Sequence, residues 1–197
     1  MYPKIFSDLI NHLKKLPGIG EKTAERLALY ILNNFNENEL NDFSNTILNL
    51  KNIKKCKTCN IMSCDDICSN CKNIVSDTLI IVENSIDAFQ IMKTNEFKNL
   101  FHILGNLIDY SNGYDEESIN FESILKRLDN INEVIIALNS TLQGELTSKY
   151  LINRINEFRK DIKITKLANG LPFGSELKYI SNETLKRALE NRIIIQK

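Results

Sequence analysis

The sequence of 197 residues lacks several features that would assign a protein to a broad class. No apolar run approaches the roughly 18 to 20 residues that a membrane-spanning helix needs. The N-terminal residues MYPKIFSDLI lack the basic region, the long apolar region and the cleavage site of a signal peptide. The chain also has no internal repeat and no low-complexity linker. These absences predict a cytoplasmic globular protein with no membrane contact.

An excess of charge of one sign is missing as well, because 25 basic residues balance 25 acidic ones. A protein that coats DNA through a uniformly basic surface is therefore not expected. The charges are unevenly placed: residues 83–123 carry eight acids and two bases, and residues 124–197 carry thirteen bases and eight acids. An acidic centre beside more basic ends is typical of a protein whose nucleic-acid contacts are confined to one face.

The hydrophobic pattern separates a helical N-terminal part from an α/β part. Apolar residues at helical spacing predict helices at residues 4–15, from Glu21 onward and around residues 40–50. After Leu79, short runs of branched aliphatic residues alternate with helical patterns, which predicts a mainly parallel sheet covered by helices. The aliphatic runs lie at 79–82, 101–104, 133–138 and 162–167, and the helical patterns at 86–94, 121–129 and 145–159. A short helix at 183–192 and an apolar strand at 193–196 should follow.

All five cysteines lie between positions 56 and 71. Cys56 and Cys59 form one C-x2-C pair, and Cys68 and Cys71 form a second. Two such pairs supply four thiolates for one tetrahedral structural zinc ion and leave no open position for catalysis. Metal binding would order a segment that has too few apolar residues for its own core. The alternative is a reduced or disulfide-bonded loop, and Cys64 is either a free thiol or a competing ligand. Nearby lysines are expected to offset the excess negative charge, namely Lys54, Lys55, Lys57 and Lys72.

The stretch LPGIGEKTAERLALYIL, residues 16–32, interrupts two predicted helices with a glycine turn. One interpretation is a simple connection in which glycine only permits a positive φ. The other is a phosphate-binding turn, in which Gly18 and Gly20 let the backbone approach DNA and the next helix donates its first N–H groups. Lys22 and Arg26 are four residues apart and share a helix face, where they are free to contact a DNA backbone without reading its sequence.

Acidic residues follow the predicted strands of the α/β part. Glu83 comes directly after the run at 79–82, Asp87 lies one helical turn later, and Glu145 follows the run at 133–138. Carboxyl ends of parallel strands are where such sheets place their sites, so these acids are candidates for Mg²⁺ binding. Asn139 and Gln143 are neutral where carboxylates would be needed, so we do not expect Mg²⁺ there. The alternative is that Glu83 and Asp87 cap the following helix.

With these motifs in this order, the sequence resembles the RecR family of bacterial recombination mediators along nearly its whole length. The resemblance rests on LPGIGEKTAERLA, the four-cysteine finger, IVENSIDAFQIMKT, FHILGNL, EVIIALNSTLQGELTSKYL and LANGLPFGSELKYISNETLKRALENR. It implies a multidomain α+β fold, with a helix-hairpin-helix module at 1–52, a four-cysteine zinc finger at 53–76 and a Toprim-like, mainly parallel α/β domain at 77–168. A C-terminal helix and strand extension at 169–197 is expected to contact other subunits.

The resemblance also implies a function: a DNA-binding recombination mediator without enzymatic activity, located in the cytoplasm at the nucleoid. Such proteins form homo-dimers or ring-shaped homo-tetramers, and act with RecO and RecF to load RecA onto gapped or single-stranded DNA coated by single-stranded-DNA-binding protein. The implied DNA-facing residues, for single-stranded, double-stranded or gapped DNA of any sequence, are Gly18, Gly20, Lys22 and Arg26. The implied RecO-contacting residues are Glu83, Asp87 and Glu145, and one structural zinc ion is expected per chain.

Two other functions stay open at this point. One is a Mg²⁺-dependent Toprim nuclease or nucleotidyl-transfer enzyme that uses Glu83, Asp87 and Glu145. The other is a zinc-stabilised adaptor that never touches DNA. The sequence also departs from the family: Gln143 stands where an acid is common, and the acid-rich segment IDYSNGYDEESI replaces a loop usually rich in proline and glycine.

Overall fold

The computed structural model describes residues 2–94, 98–168, 170–193 and 195. The chain divides into two compact units, Met1–Ile53 and Lys54–Lys197. Among the described residues, no helix has the length and apolar character needed to cross a bilayer. The mixed helical and α/β fold predicted from the sequence is confirmed, while the finer division into four parts stays a prediction.

The first unit contains three helices, α1 (Lys4–Leu13), α2 (Glu21–Asn34) and α3 (Glu37–Asn49), as the periodicity predicts. Its core is small, because only Ile10 of α1 and Ala24 and Ala28 of α2 are buried among residues 2–53. A capping box starts α3: the Asn36 side chain accepts from the N–H of Glu39 at 3.0 Å, and the Glu39 carboxylate accepts from the N–H of Asn36 at 2.8 Å. The N-terminus of α3 is therefore well capped, yet none of the residues of the helix is buried.

The second unit is built on a four-stranded parallel sheet with the order β4-β3-β5-β6. Its strands are β3 (Thr78–Val82), β4 (Leu100–Ile103), β5 (Glu133–Ile136) and β6 (Lys163–Lys166). Between them run α5 (Ser85–Met92), α6 (Phe121–Leu125) and α7 (Leu142–Phe158). Four of the five residues of β3 are buried, which is why that run is continuously aliphatic.

Alternate residues of β3 face two separate cores. Leu79 and Ile81 belong to a large core shared with the helices that include α6 and α7. Ile80 and Val82 face the other way, into a core that also contains buried cysteines. The pleat of a single central strand thus joins the cysteine-rich segment to the rest of the unit.

Helix α6 is shorter than the pattern at 121–129 predicts. After Leu125 the chain tightens, because the N–H of Arg127 bonds to the carbonyl of Ile124 at 2.9 Å and the N–H of Leu128 bonds to that of Leu125 at 3.0 Å. Such i to i−3 bonds end an α-helix while keeping its side-chain direction for one more turn. Leu128 is consequently still fully buried.

The cysteine-rich segment folds as a small finger against the sheet. It contains the antiparallel pair β1 (Lys54–Lys55) and β2 (Met62–Ser63), followed by α4 (Ser69–Asn73). The N–H of Ile103 in β4 bonds to the carbonyl of Cys59 at 2.8 Å, and the Asn60 amide donates to the carbonyl of Ile103 at 3.2 Å. The finger therefore covers the outer edge of β4, a contact that its sequence does not predict.

The C-terminal segment contains α8 (Asn182–Glu190), which agrees with the predicted short helix. Ser181 caps it by accepting from the N–H of Thr184 at 3.2 Å, and none of the helix residues is buried. Of the predicted strand at 193–196, residues 194 and 196 lie outside the described residues. Ile193 and Ile195 are exposed and belong to no strand.

Candidate functional sites

The finger brings the four paired cysteines together. The Sγ atoms of Cys56, Cys59, Cys68 and Cys71 all lie within 4.8 Å of one another, and Cys59 Sγ is 3.5 Å from Cys68 Sγ. A tetrahedral Zn²⁺ with bonds of about 2.3 Å needs sulfur atoms about 3.8 Å apart, so the cluster has the size that zinc requires. Three of the four are buried, and Cys64 is exposed and outside the cluster. The four cysteines can therefore hold a metal ion, and a structural zinc ion fits them.

Local backbone geometry explains how two short C-x2-C turns converge. The first turn closes through a bond from the N–H of Cys56 to the carbonyl of Ile61 at 2.8 Å, and Asn60 adopts a positive φ of 62° to allow it. In the second turn, Cys68 starts α4, and its sulfur accepts from the N–H of Cys71 at 3.4 Å. Backbone N–H groups directed at sulfur stabilise thiolates, which are the form that binds metal.

The pKa values of the cysteines diverge within the cluster. Burial raises the pKa of Cys56, but hydrogen bonds from three backbone N–H groups outweigh it and bring that pKa down to about 6. The hydrogen bond with Cys71, together with burial, raises the pKa of Cys59. A metal ion must therefore displace protons from some of these thiols, which makes metal binding dependent on pH.

Three of the four lysines expected to offset the charge of the metal site, Lys54, Lys57 and Lys72, pair with carboxylates. Asp66 binds Lys57 at 2.7 Å and also pairs with Lys54, while Asp65 binds Lys72 at 2.9 Å. Asp66 consequently has its pKa lowered to about 2, first by the hydrogen bond from Lys54. These exposed pairs fix the loop between the two cysteine pairs and contribute little to stability.

The glycine turn joins α1 to α2, and the four candidate DNA residues lie on it and on the first turns of α2. Gly18 has a φ of +80°, a conformation that side chains rarely adopt. Gly20 is the N-cap of α2 and offers no side chain to cap it, so N–H groups of the first turn stay unpaired within the described residues. Lys22 and Arg26 are exposed, and neither forms an ion pair with any described residue.

The structure separates the three candidate acids of the α/β part. Glu83 follows β3 and accepts from the Asn139 amide at 3.2 Å. Glu145, in the first turn of α7, instead binds Lys166 at 2.9 Å and lies 3.8 Å from Arg187. The bond from Lys166 is the main reason why the pKa of Glu145 is lowered. Within the described residues, the cysteines form the only group of three or more potential metal ligands.

The cap of α5 also differs from the alternative considered from the sequence. Asn84, and neither Glu83 nor Asp87, is the N-cap, because its side-chain oxygen accepts from the N–H of Asp87 at 3.0 Å. Asp87 lies in the first turn of the helix, where a negative charge is favourable.

Sequence reasoning missed Asp109, which lines a cavity of about 320 Å³ together with Glu83 and Asn139. Hydrogen bonds from Ser111 and Asn112 are the main reason why the pKa of Asp109 is lowered. The only signal for it was its position in the acid-rich segment after β4. Only the fold brings that segment beside the end of β3.

Gly144 matters for the same edge of the sheet. A Cβ atom there would lie 2.0 Å from the carbonyl oxygen of Asn139, so only glycine lets α7 begin this close to the end of β5. Thr141 caps the helix by accepting from the N–H of Gly144 at 3.1 Å.

Comparison with known proteins agrees with this architecture. Residues 77–168 match the model of the Toprim domain, and residues 6–49 match the model of the RecR helix-hairpin-helix. The fold and sites thus define a Toprim protein with an N-terminal helix-hairpin-helix. The chain is 41% identical over 189 residues to the recombination protein RecR of Phytoplasma mali, covering 93% of this chain and 92% of that protein.

Two further relatives bear the same name. The recombination protein RecR of Lactococcus lactis subsp. cremoris is 38% identical over 199 residues, 98% of this chain and 99% of that protein. The RecR of Streptococcus thermophilus is 39% identical over 197 residues, 98% of each chain. The chain belongs to the RecR family of recombination proteins.

Proposed function

We propose that this protein is a DNA-binding mediator of recombinational repair that has no enzymatic activity of its own. In this role it acts with RecO and RecF to load RecA onto gapped or single-stranded DNA coated by single-stranded-DNA-binding protein. The observation that carries the proposal is the surface at the start of α2. There, exposed Lys22 and Arg26 adjoin a glycine turn with free backbone donors.

The surface has the properties that a DNA backbone requires. Phosphate oxygens accept hydrogen bonds from N–H groups at a helix N-terminus, and the positive end of the helix dipole favours them. Lys22 and Arg26 add two charges that no acid in the described residues neutralises. Because such contacts reach phosphates and not bases, binding should be independent of sequence and should weaken with salt.

Assembly into a dimer or a ring would supply several such surfaces. Helix α3 buries none of its residues, and it exposes Leu40, Phe43, Ile47 and Leu48. Helix α8 in the C-terminal segment is likewise amphipathic and unburied. Exposed apolar helix faces of this kind are typical of surfaces that subunits cover on assembly. A single pair of basic residues per chain would then be multiplied around the DNA.

The acids at the carboxyl end of the sheet fit partner contact better than metal catalysis. Magnesium-dependent phosphoryl-transfer sites need carboxylates that are free to coordinate the ion. Glu145 is held by Lys166 and Arg187, and the nearest polar partner of Glu83 is an amide. We therefore assign Glu83, Asp87 and Glu145 to contact with RecO, and the four cysteines to one structural zinc ion.

Reversing the charge of both basic residues tests the proposal. The double variant Lys22→Glu, Arg26→Glu should lose DNA binding in gel-shift titrations and RecA loading on gapped, protein-coated DNA with RecO present. A matched control, Lys4→Glu with Lys51→Glu, changes the same charge in the same unit and should bind normally. Retained binding by the first variant, with zinc content and circular dichroism unchanged, would contradict the assignment.

A further inference from the structure

The cavity that contains Asp109 lies where open α/β sheets bind ligands. The chain passes from β3 to β4 on one side and then crosses to β5 on the other side of β3. The crevice beyond the carboxyl ends of β3 and β5 is therefore a topological switch point, the usual ligand position in such sheets. Glu83 from the end of β3 and Asn139 from the end of β5 both line the cavity of about 320 Å³.

Two carboxylates line this cavity, and neither forms an ion pair with a described residue. No basic residue is part of the lining, although the Lys55 ammonium lies beside Gly105, 3.9 Å from where a Cβ on that residue would be. Glu83 accepts from the Asn139 amide at 3.2 Å, and Asp109 accepts from the Gln143 amide at 3.4 Å. Within the described residues, every side-chain donor to these two acids is neutral. Besides the bond from Gln143, Asp109 accepts from the Ser111 hydroxyl and the Asn112 amide. The nearby acid that does have cationic partners, Glu145, is not part of the cavity lining.

The donor and acceptor pattern favours a guanidinium group over a metal ion. The Asn139 and Gln143 amides use N–H groups on the carboxylates, so their carbonyl oxygens are left to accept further hydrogen bonds. Within the described residues, these acids belong to no group of three or more potential metal ligands, so they offer Mg²⁺ few of the carboxylate oxygens that it prefers. A guanidinium brings five N–H donors and one delocalised charge, and it can stack on an aromatic ring such as that of Tyr114, which also lines the cavity.

We propose that this cavity receives an arginine side chain of the partner protein, with Asp109 and Tyr114 as recognition residues beside Glu83. The inference rests on the proposed function, since it gives the chemistry of the partner contact assigned to that edge of the sheet. Asp109 supplies charge and Tyr114 supplies the stacking face. Arginine is thereby preferred over lysine, whose compact ammonium group cannot use the ring plane in the same way.

Nuclear magnetic resonance can test this site without the partner. N-acetyl-L-arginine amide, N-acetyl-L-lysine amide and MgCl₂ are each titrated into the full chain loaded with zinc, and the side-chain amide signals of Asn139 and Gln143 are followed. The arginine compound should give saturable shifts, with an affinity above that of the lysine compound. Saturable shifts with MgCl₂ alone, or none with the arginine compound, would overturn the inference.

Variants identify the residues responsible. Asp109→Asn should weaken the arginine compound about tenfold, the loss expected for one charge-assisted hydrogen bond. Tyr114→Leu should remove the preference for arginine over lysine. This second variant still tests the inference if Asp109→Asn disturbs the loop that carries Asp109. The control is Glu117→Gln, which removes an exposed charge from the same acid-rich segment, outside the cavity lining. Equal affinity in Asp109→Asn and this control would refute the assignment.

Partner binding then separates the two proposals. By calorimetry, Asp109→Asn should weaken RecO binding while the Glu117→Gln control binds like the wild type. If the wild-type protein binds the arginine compound but not RecO, the proposed function fails and the cavity assignment stands. If it binds RecO equally well with and without Asp109, the cavity assignment fails and the proposed function stands.

Discussion

His102 should make the second unit lose stability as the pH falls below neutrality. The residue lies in β4, is 1% exposed, and places Nε2 3.3 Å from the Ser123 hydroxyl. That hydroxyl donates its own proton to the carbonyl of Asn120 at 2.7 Å, so it accepts from the Nε2–H of a neutral ring. Nδ1 is buried and has no partner among the described residues, so a second ring proton would have no acceptor.

The magnitude follows from the two protonation equilibria. Burial, with a smaller contribution from the charge of Arg127, lowers the pKa of His102 from 6.5 to about 3. The unfolded chain therefore binds a proton at a pH where the folded chain does not. The stability from the neutral ring is fully present above pH 6.5 and is lost as the pH falls towards 3. Between pH 7.5 and 5.5 the loss from this one group is about 1.4 kcal/mol.

The variant His102→Gln isolates this effect, because glutamine keeps a donor for Ser123 and does not titrate. Hydrogen exchange of the most protected amides in β3 and β4 reports the free energy of unfolding of this unit. The drop between the two pH values should be about 1.4 kcal/mol larger in the wild type than in the variant. Contributions of groups that the variant leaves unchanged, such as the cysteine cluster, cancel in the comparison. An equal drop in both proteins would show that the folded state accommodates a protonated His102, and would refute the reasoning.

Three further perturbations follow from the structure. Cys59→Ser should abolish stoichiometric zinc binding, measured by atomic absorption, and should destabilise the second unit. The control Cys64→Ser should retain the metal. A folded Cys59→Ser protein with full zinc content would contradict the assignment of the metal site. Gly144→Ala should destabilise the protein by about 1–3 kcal/mol in urea unfolding because of overpacking against the Asn139 carbonyl, while Gly170→Ala, whose Cβ would meet no atom within 4 Å, should not. With Mg²⁺ and labelled DNA we expect no cleavage; robust cleavage that Glu83→Ala abolishes would instead support a Toprim nuclease.

Local chemistry made some features predictable from the sequence. The four clustered cysteines are close in the chain, and their spacing alone indicates four converging side chains that can hold a metal ion. The central strand β3 is buried on both faces, so its continuous aliphatic run marks it without ambiguity. The start of α2 was likewise indicated by the glycine turn that precedes it.

Features that depend on tertiary contacts were not predictable. Asp109 joins the cavity only because the crossover from β4 to β5 returns its loop to the end of β3. The ion pairs of Glu145 come from β6 and α8, which are distant in sequence. The pattern around α6 suggested four more helical residues than are present, because apolar spacing does not distinguish an α-helix from a tightened final turn.

The contact between the finger and β4 gives the proposed structural zinc ion a further consequence. Ile103 directs both of its outward backbone groups at the finger, to the carbonyl of Cys59 at 2.8 Å and the amide of Asn60 at 3.2 Å. A strand edge left without such partners is a template for pairing with other chains. A newly made chain whose finger is not yet ordered would therefore expose β4 as an unpaired edge strand that other chains could bind. Acquisition of the proposed metal ion would then become part of protein quality control, since chains that miss it would be the ones prone to aggregate.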